Sequence, residues 1–204
     1  MGFYSRVIFP RLCDFGLDRP FIADQRRQLL AAAEGSILEI GFGTGLNLPC
    51  YPEGVRQITA VDPNVGMNRR AQRRIKQTGI EVEQRILNGE RLPLSDDSFD
   101  CVVSTFTLCS IDKVDQAVAE VYRVLKPGGQ FLFLEHGLSP DASVQKWQHR
   151  LNWMQILVGD GCRLDRNMKL LVAAQPFSRV DSTEFYLEKM PKTHGYAYRG
   201  IATK

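Results

Sequence analysis

Residues 37–45 read Ile-Leu-Glu-Ile-Gly-Phe-Gly-Thr-Gly, a short apolar run that passes directly into a cluster of glycines. A run of this length and composition is typical of a buried strand, and the glycines after it favour a tight turn. Because glycine has no side chain, backbone N–H groups in such a turn can approach a ligand closely. The stretch therefore predicts the first strand of a wound sheet, with a ligand-binding turn at its carboxyl end.

Further apolar runs alternate with helical patterns along the chain, which indicates an α/β fold. Strands are predicted at 57–61, about 80–87, 101–104 and 130–134, and two alternating runs at 179–186 and 196–203 favour an antiparallel edge. Helices are predicted at about 20–33, at 114–125 with Asp112 as its cap, at 139–158, and after Asp165. The pattern predicts a doubly wound, seven-stranded, mostly parallel sheet with helices on both faces.

Composition indicates a folded domain without a membrane span. The chain has 204 residues, 44% of them hydrophobic and 24% charged, with a net charge of +3, which is unlike a disordered chain. It contains no apolar run of about 18 residues, and its amino terminus lacks the pattern of a signal peptide. Five widely spaced cysteines without a Cys-x-x-Cys pair argue against a metal site or a disulfide framework. These features predict a cytoplasmic protein with reduced thiols and no bound metal.

Two groups of side chains are predicted to be structural. The basic cluster of Arg69, Arg70, Arg73, Arg74 and Lys76 is interpreted as a solvated helix surface, because no aromatic platform for nucleic acid accompanies it. Trp147 and Trp153 are predicted to bury one face of their helix. Neither group therefore indicates a nucleic-acid partner.

The spacing of the glycine turn favours one class of ligand over another. A dinucleotide-binding turn reads Gly-x-Gly-x-x-Gly, but Leu46 stands where its third glycine would be, which argues against a nicotinamide dehydrogenase. Glu39 beside the turn suits a cationic or amine-bearing ligand better than a pyrophosphate. Asp62 ends the second strand, 21 residues after Gly41, where a carboxylate can accept hydrogen bonds from both ribose hydroxyls.

Two further motifs complete an ordered set: residues 88–94 (Asn-Gly-Glu-Arg-Leu-Pro-Leu) and residues 125–129 (Leu-Lys-Pro-Gly-Gly). With them, the region from about 36 to 138 resembles the class I S-adenosylmethionine-dependent methyltransferases, in particular the ubiquinone/menaquinone-methyltransferase-like group. Residues 134–137, 159–162 and 195–197 are similar to the methyltransferase-like-seven group, whose animal members methylate alkyl thiols. The resemblance implies a Rossmann-like fold with S-adenosyl-L-methionine as cofactor and S-adenosyl-L-homocysteine as product.

The resemblance also implies roles for single residues. Gly41, Phe42 and Gly43 would lie under the methionine and ribose parts of the cofactor, and Asp62 would hold the ribose. Pro63 and Met67 would pack on the adenine, and Asn88 and Gly89 would contact the adenine ring. Ser104 to Phe106 would line the methionine end. Asn88 stands where the family usually has Asp, and an amide offers only one acceptor atom for that contact. The predicted cofactor set is completed by Glu39, Asn47 and Glu90.

His136, directly after the fifth strand, is the predicted general base, and a structural hydrogen bond to a loop carbonyl is the alternative. Glu135 is predicted either to orient that imidazole, as a second catalytic residue, or to face solvent. Cys109 and Cys162 are interpreted as small packing residues near the pocket.

Together these features predict a single methyltransferase domain over residues 1–204. It is divided into a helical cover (1–35), a cofactor-binding core (36–137), an inserted substrate-cover helix (138–164), and a carboxyl-terminal helix with edge strands (165–204). The predicted acceptor is a small hydrophobic molecule, with a thiol favoured. Lipid-headgroup N-methylation, quinone-type C-methylation and a non-catalytic nucleoside-binding module stay open, as do peripheral membrane contact and oligomeric state.

Overall fold

The protein is described from a computed structural model that covers residues 2–204, apart from the side chains of Asn68 and Arg69. Met1 of the predicted cover and the side chain of Arg69 in the basic cluster lie outside the described residues. Within that range the chain forms one sheet of seven strands. The strands are β1 (Ile37–Ile40), β2 (Gln57–Val61), β3 (Glu81–Arg85), β4 (Phe99–Thr105), β5 (Leu125–His136), β6 (Arg179–Tyr186) and β7 (Tyr196–Thr203).

The strand order is β3-β2-β1-β4-β5-β7-β6. Neighbours among the first five strands pair in parallel, whereas β7 is antiparallel to both β5 and β6. The predicted doubly wound sheet and its antiparallel edge are therefore confirmed. Winding reverses between β1 and β4, so the carboxyl ends of these two strands border the crevice in which such sheets bind ligands.

Helices flank the sheet. They are α1 (Phe9–Leu17), preceded by a π-helical turn (Tyr4–Ile8), then α2 (Pro20–Leu30), α3 (Asn68–Thr78), α4 (Val114–Val124), α5 (Ala142–Val158), α6 (Met168–Ala173) and α7 (Lys192–Gly195). Asp112 is not the cap of α4: Lys113 occupies that position, and its N–H donates to the Glu90 carboxylate at 3.0 Å. The prediction was wrong because a side chain from a distant loop supplies the acceptor.

Apolar residues are buried on both faces of the central strands, as expected of strands covered by helices on each side. Leu38, Val102 and Phe131 lie in the core on one face of the sheet, and Cys101 and Leu132 lie in the core on the other. This two-sided burial holds β1 and β4 in the middle of the molecule and fixes the edge from which the glycine turn projects.

Helix α5 packs with its polar side chains inward, so the prediction for its tryptophans was wrong. Trp147 is 54% exposed and Trp153 is 69% exposed. The buried side chain of Gln148 instead accepts from the Ser139 N–H at 2.9 Å and donates to the Gly137 carbonyl at 2.9 Å. Hydrogen bonds from this inner face hold α5, and they leave its aromatic residues on the outside.

Part of the basic cluster on α3 is paired with α1. Asp14 bonds to Arg70 and lies 3.2 Å from Arg74, whose guanidinium also donates to Asp18 at 2.9 Å. The side chains of Asp14 and Arg74 are only 14% and 18% exposed. These arginines are therefore not a freely solvated surface; they fasten α1 over the carboxyl edge of the sheet.

Among residues 2–204, no helix combines the length and the apolar character needed to cross a bilayer.

Candidate functional site

A cavity of about 410 Å³ lies at the carboxyl ends of β1, β2 and β4. Its wall contains twelve of the thirteen residues predicted to bind the cofactor: Glu39, Gly41, Phe42, Gly43, Asn47, Asp62, Pro63, Met67, Asn88, Gly89, Glu90 and Phe106. Ser104 is the exception, with no exposed surface. The structure thus gathers the predicted set around one space, while the contact that each residue makes to a ligand stays a prediction.

The glycine turn forms the floor of the cavity. Gly41 has a φ of +71°, and a Cβ atom placed there would lie 2.0 Å from Oγ1 of Thr107. Gly43 has a φ of +55°, and its N–H donates to Oδ2 of Asp62 at 2.7 Å. Both positions need glycine because left-handed backbone is costly for other residues, and at Gly41 a side chain has no room.

Asp62 is held from two sides. Besides the bond from Gly43, its Oδ1 accepts from the N–H of Asn64 at 2.7 Å. Burial raises the pKa of Asp62, and the two backbone donors partly oppose that rise. The carboxylate is therefore fixed at the cavity wall with lone pairs available to hydroxyl groups.

Glu39 is the more deeply buried acid, with 1% of its surface exposed. Its carboxylate accepts from the Tyr51 hydroxyl at 2.7 Å and from the Asn47 amide at 3.0 Å. Burial raises the pKa of Glu39 to about 7, although both donors act to lower it. A cation placed in the cavity would favour the ionised form of this group.

Arg26 faces the same cavity and was missed in the sequence. It is 3% exposed, one of its terminal nitrogens donates to the Leu17 carbonyl at 2.9 Å, and its guanidinium carbon lies 5.4 Å from the centre of the Phe106 ring. Burial lowers the pKa of Arg26 to about 10, and its Nε has no hydrogen-bond partner among the described residues. An unsatisfied buried donor is costly, and the Arg26 guanidinium places a positive charge in the cavity wall.

The loop after β3 uses its polar atoms internally. Oδ1 of Asn88 accepts from the N–H of Glu90 at 3.1 Å, and the Glu90 carboxylate accepts the N–H of Lys113. A Cβ on Gly89 would lie 3.0 Å from Cγ2 of Ile40. The loop thereby lies close against β1, and the Asn88 oxygen is turned toward its own backbone.

Phe106 separates the cavity from the buried residues behind it. It has a φ of +53°, rare for an aromatic residue, and its N–H donates to the Leu134 carbonyl at 2.8 Å. Its ring stacks on that of His136, with the ring centres 6.5 Å apart. Phe106 thus stands between His136 and the cavity.

Glu135 neither orients His136 nor faces solvent, and both predicted alternatives were wrong. It is fully buried, accepts the Ser104 hydroxyl at 2.8 Å, and accepts the N–H of Thr107 with both oxygens at 2.9 and 3.0 Å. Burial raises its pKa, while bonds from Thr107, Leu108 and Ser104 oppose the rise. Because adjacent residues of a strand point to opposite faces, Glu135 fixes the turn after β4 and does not face the imidazole.

His136 lies outside the cavity wall. Its Nε2 is 2.9 Å from Sγ of Cys162, so its partner is a thiol and not the loop carbonyl of the alternative interpretation. Burial lowers the pKa of His136, but the contact with Cys162 and the charge of Glu135 together outweigh burial, so the pKa of His136 is raised. Its role as a general base stays a prediction, and the His136 ring does not line the cavity in this structure.

The roof of the cavity is formed by Phe9, Cys13 and Leu17 of α1 and by Asp160. Ser5 donates to the Asp160 carboxylate at 2.8 Å, which ties the amino-terminal segment to the loop after α5. The sequence predicted covers over residues 1–35 and 138–164, but it did not single out Cys13, Leu17 or Asp160 as residues that face the cavity.

Comparison with known proteins places the chain in a family. Residues 38–133 match the model of a family described as "Methyltransferase domain". The chain is 37% identical to thiol S-methyltransferase TMT1B of Rattus norvegicus over 151 residues, which are 72% of this chain and 62% of that protein. It is 30% identical to phosphatidylethanolamine N-methyltransferase of Cereibacter sphaeroides over 151 residues, which are 69% of this chain and 74% of the relative.

The fold has solved counterparts as well. A crystal structure of an S-adenosylmethionine-dependent methyltransferase from Thermotoga maritima superposes with a TM-score of 0.68 at 22% identity, covering 98% of both chains. The chain spans about three fifths of the length of its rat relative. The family model, the relatives and the sheet agree, and the chain belongs to the class I S-adenosylmethionine-dependent methyltransferases.

Proposed function

We propose that the protein transfers the methyl group of S-adenosyl-L-methionine to a small hydrophobic acceptor, with a thiol as the favoured class. The observation that carries the proposal is the pairing of two buried, opposite charges in one cavity. Glu39 and Arg26 both line the cavity, and Nε of the Arg26 guanidinium has no protein partner among the described residues. A free amino acid carries both complementary charges, so the methionine part of the cofactor matches this pair.

The remaining residues fit the rest of the cofactor. Asp62 would accept the ribose hydroxyls, and Pro63 and Met67 would pack on the adenine ring. A cavity of about 410 Å³ is within the usual size range of small-molecule pockets. When bound, the cofactor supplies a methyl group activated on a sulfonium. The chain itself then has to align the acceptor and exclude water.

The roof supports an apolar acceptor. Phe9, Leu17 and Phe106 present carbon surfaces, and burial raises the pKa of Cys13 to about 12, so that this thiol stays neutral. A thiol acceptor has an ordinary pKa of about 8.5 and is mostly protonated at neutral pH. His136 lies outside the cavity wall, so in its place we assign Asp160, the carboxylate of the roof, to accept the proton of the thiol during transfer. The thiol S-methyltransferase activity in the name of the rat relative supports this acceptor class.

The test is transfer of labelled methyl groups to a panel of alkyl thiols, phosphatidylethanolamine and demethylated quinols. We expect thiols to be methylated, with Asp160→Asn lowering kcat/KM by about 10²–10⁴-fold while cofactor affinity stays unchanged. Asp62→Ala should instead weaken cofactor binding in calorimetry. Tight cofactor binding without methylation of any acceptor would favour a non-catalytic nucleoside-binding module.

The exposed surface of the roof supports a peripheral membrane contact. Large apolar side chains point outward from the amino-terminal segment and from α5: Phe3, Leu12, Phe15, Trp147, Trp153, Met154, Leu157 and Val158. We call this set the outer face. Helix α5 also carries Lys146 and Arg150 but no acidic residue. Apolar and aromatic side chains beside basic ones are typical of surfaces that bind anionic lipid.

We also propose a cytoplasmic location. All five cysteines are free thiols, and Cys50 and Cys101 are buried where no second cysteine pairs with them in the described chain. Reduced thiols of this kind are typical of a reducing compartment. Fractionation of cells that produce the protein tests the proposal, and recovery with secreted proteins would contradict it.

A further inference from the structure

A buried cluster of two cysteines and one histidine lies behind the cavity wall, and none of the three residues lines the cavity. Cys109 follows β4, His136 is the last residue of β5, and Cys162 lies in the loop after α5. Their exposed fractions are 2%, 8% and 8%. The three come from separate parts of the sequence, so no local spacing reveals them.

The ligand atoms of this cluster lie close together. Sγ of Cys109 is 3.6 Å from Sγ of Cys162, Nε2 of His136 is 2.9 Å from Sγ of Cys162, and all three atoms lie within 4.8 Å of one another. Tetrahedral zinc, with bonds of about 2.3 Å to sulfur and 2.0–2.1 Å to nitrogen, separates two sulfurs by about 3.8 Å and a sulfur and a nitrogen by about 3.6 Å. The sulfurs are already at that spacing, and the histidine has to withdraw by about 0.7 Å.

We propose that Cys109, His136 and Cys162 form a binding site for one thiophilic metal ion, Zn²⁺, with water as the fourth ligand. Thiolate and imidazole ligands select zinc over magnesium or calcium, which prefer oxygen. Three protein ligands with one solvent position are a common zinc arrangement. Ser110, whose hydroxyl lies 3.6 Å from Sγ of Cys109, lines the cavity, so the cluster lies directly behind the cavity wall.

Charge balance is compatible with a bound metal ion. Two thiols and a neutral imidazole release two protons as they bind a divalent ion, which leaves two thiolates, a neutral imidazole and no net charge. Binding therefore adds no uncompensated charge to the interior.

The ion would join three elements that shape the cavity. Cys162 is two residues from Asp160 of the roof, Cys109 is next to Ser110, and His136 lies against Phe106. Metal binding would thus fasten the loop after α5 to the ends of β4 and β5.

Cobalt titration of the chelator-stripped full chain, kept reduced with a phosphine, tests the site without any measurement of methyl transfer. We expect one Co²⁺ per chain, with thiolate-to-cobalt charge-transfer absorption in the near ultraviolet and strong tetrahedral bands in the visible. Stoichiometric Zn²⁺ should abolish both signals and raise the Tm. Absence of charge-transfer absorption in the wild-type protein overturns the proposal, whether or not the variants fold.

Variants locate the ion. Cys109→Ser and Cys162→Ser should each weaken Co²⁺ binding by at least about a hundredfold, since even changes around the ligands of such sites cost 10–100-fold. Cys101→Ser, at a buried cysteine of β4 outside the cluster, is the matched control and should bind as the wild type does. Equal affinity in the cluster variants and the control overturns the proposal.

Discussion

At the scale of the residue, Glu39 is a buried acid in the cavity wall, and a role toward a cationic ligand is proposed for it. Its pKa in the folded protein, about 7, lies above the value of about 4.3 expected in the unfolded chain. Between these values the folded state holds the extra proton, so this group's contribution to stability falls as pH rises toward 7. If Glu39 binds the ammonium group of the cofactor as proposed, that charge would favour the ionised carboxylate and reverse part of that loss.

We therefore expect cofactor affinity to rise by up to about tenfold per pH unit between about pH 5 and 7 and to level off above. Calorimetry across this range measures it. Glu39→Gln should bind more weakly at pH 7 and lose the slope. A wild-type affinity that does not change with pH would contradict the assignment of Glu39.

A second prediction at this scale concerns the floor of the cavity. Gly41→Ala should destabilise the protein by about 2–5 kcal/mol, because a left-handed alanine costs about 1–2 and the overlap with Thr107 adds about 1–3. Gly79 is a matched control with the same φ of +71°, where an added Cβ would meet no atom within 4 Å. Gly79→Ala should cost only about 1–2 kcal/mol in urea unfolding. Equal losses in the two variants would refute the steric argument.

Residues were predictable where the signal is local. The glycine turn and Asp62 each follow directly after a strand. Their positions in the sequence were therefore enough to predict that both lie at the carboxyl edge of the sheet. Arg26 and the partners of His136 were not predictable, because their roles arise from contacts between distant elements. Glu135 illustrates the same limit: its position after an apolar strand does not reveal that a neighbouring strand supplies its donors.

At the scale of the element, the attachment of α1 controls access to the cavity. Asp14→Ala removes the ion pairs to α3 and the bond from the Thr44 hydroxyl, which is 2.5 Å long. Losing such a partly buried network costs about 1–3 kcal/mol, so opening of α1 should increase on the order of tenfold. Limited proteolysis within residues 2–19 should accelerate accordingly, and cofactor should dissociate faster.

The control for this prediction is Asp24→Ala on α2, where the pair with Arg27 is 57% and 61% exposed. Exposed pairs contribute little, so its cleavage rate should match the wild type. If both variants are cleaved equally, α1 is not held by Asp14.

The elements themselves were largely predictable. Runs such as β1 and β2 agree with their predicted bounds because β-branched residues and glycine breaks mark them. Helix α5 was placed correctly but its buried face was wrong, since the aromatic stripe was assumed to face inward. Buried Gln148 and Asn152 take that side instead, and their hydrogen bonds depend on loops that the local pattern does not encode.

At the scale of the whole molecule, the outer face makes a direct prediction about membranes. Both tryptophans of the chain, Trp147 and Trp153, lie on it, so intrinsic fluorescence reports its environment. Vesicles containing anionic lipid should shift the emission to the blue and co-sediment the protein, and salt should weaken both effects. Neutral vesicles should bind less.

Variants distinguish binding through the outer face from non-specific binding of the protein to vesicles. Leu157→Gln combined with Phe15→Gln should reduce vesicle binding several-fold, whereas Ile86→Gln, at an exposed apolar residue outside the outer face, should not. Equal binding of all variants to anionic vesicles would contradict a role of the outer face in membrane contact.

The bonds that close the roof join distant parts of the chain. Tyr4 donates to the Val158 carbonyl and Ser5 to Asp160, across separations of 154 and 155 residues. Contacts between such remote partners form late in folding, because a long loop has to close first. A nascent chain that has emerged only through the fifth strand would therefore carry α1 and its partners on α3, while the end of α5 and the loop after it, to which Tyr4 and Ser5 donate, would still be missing from the edge of the cavity.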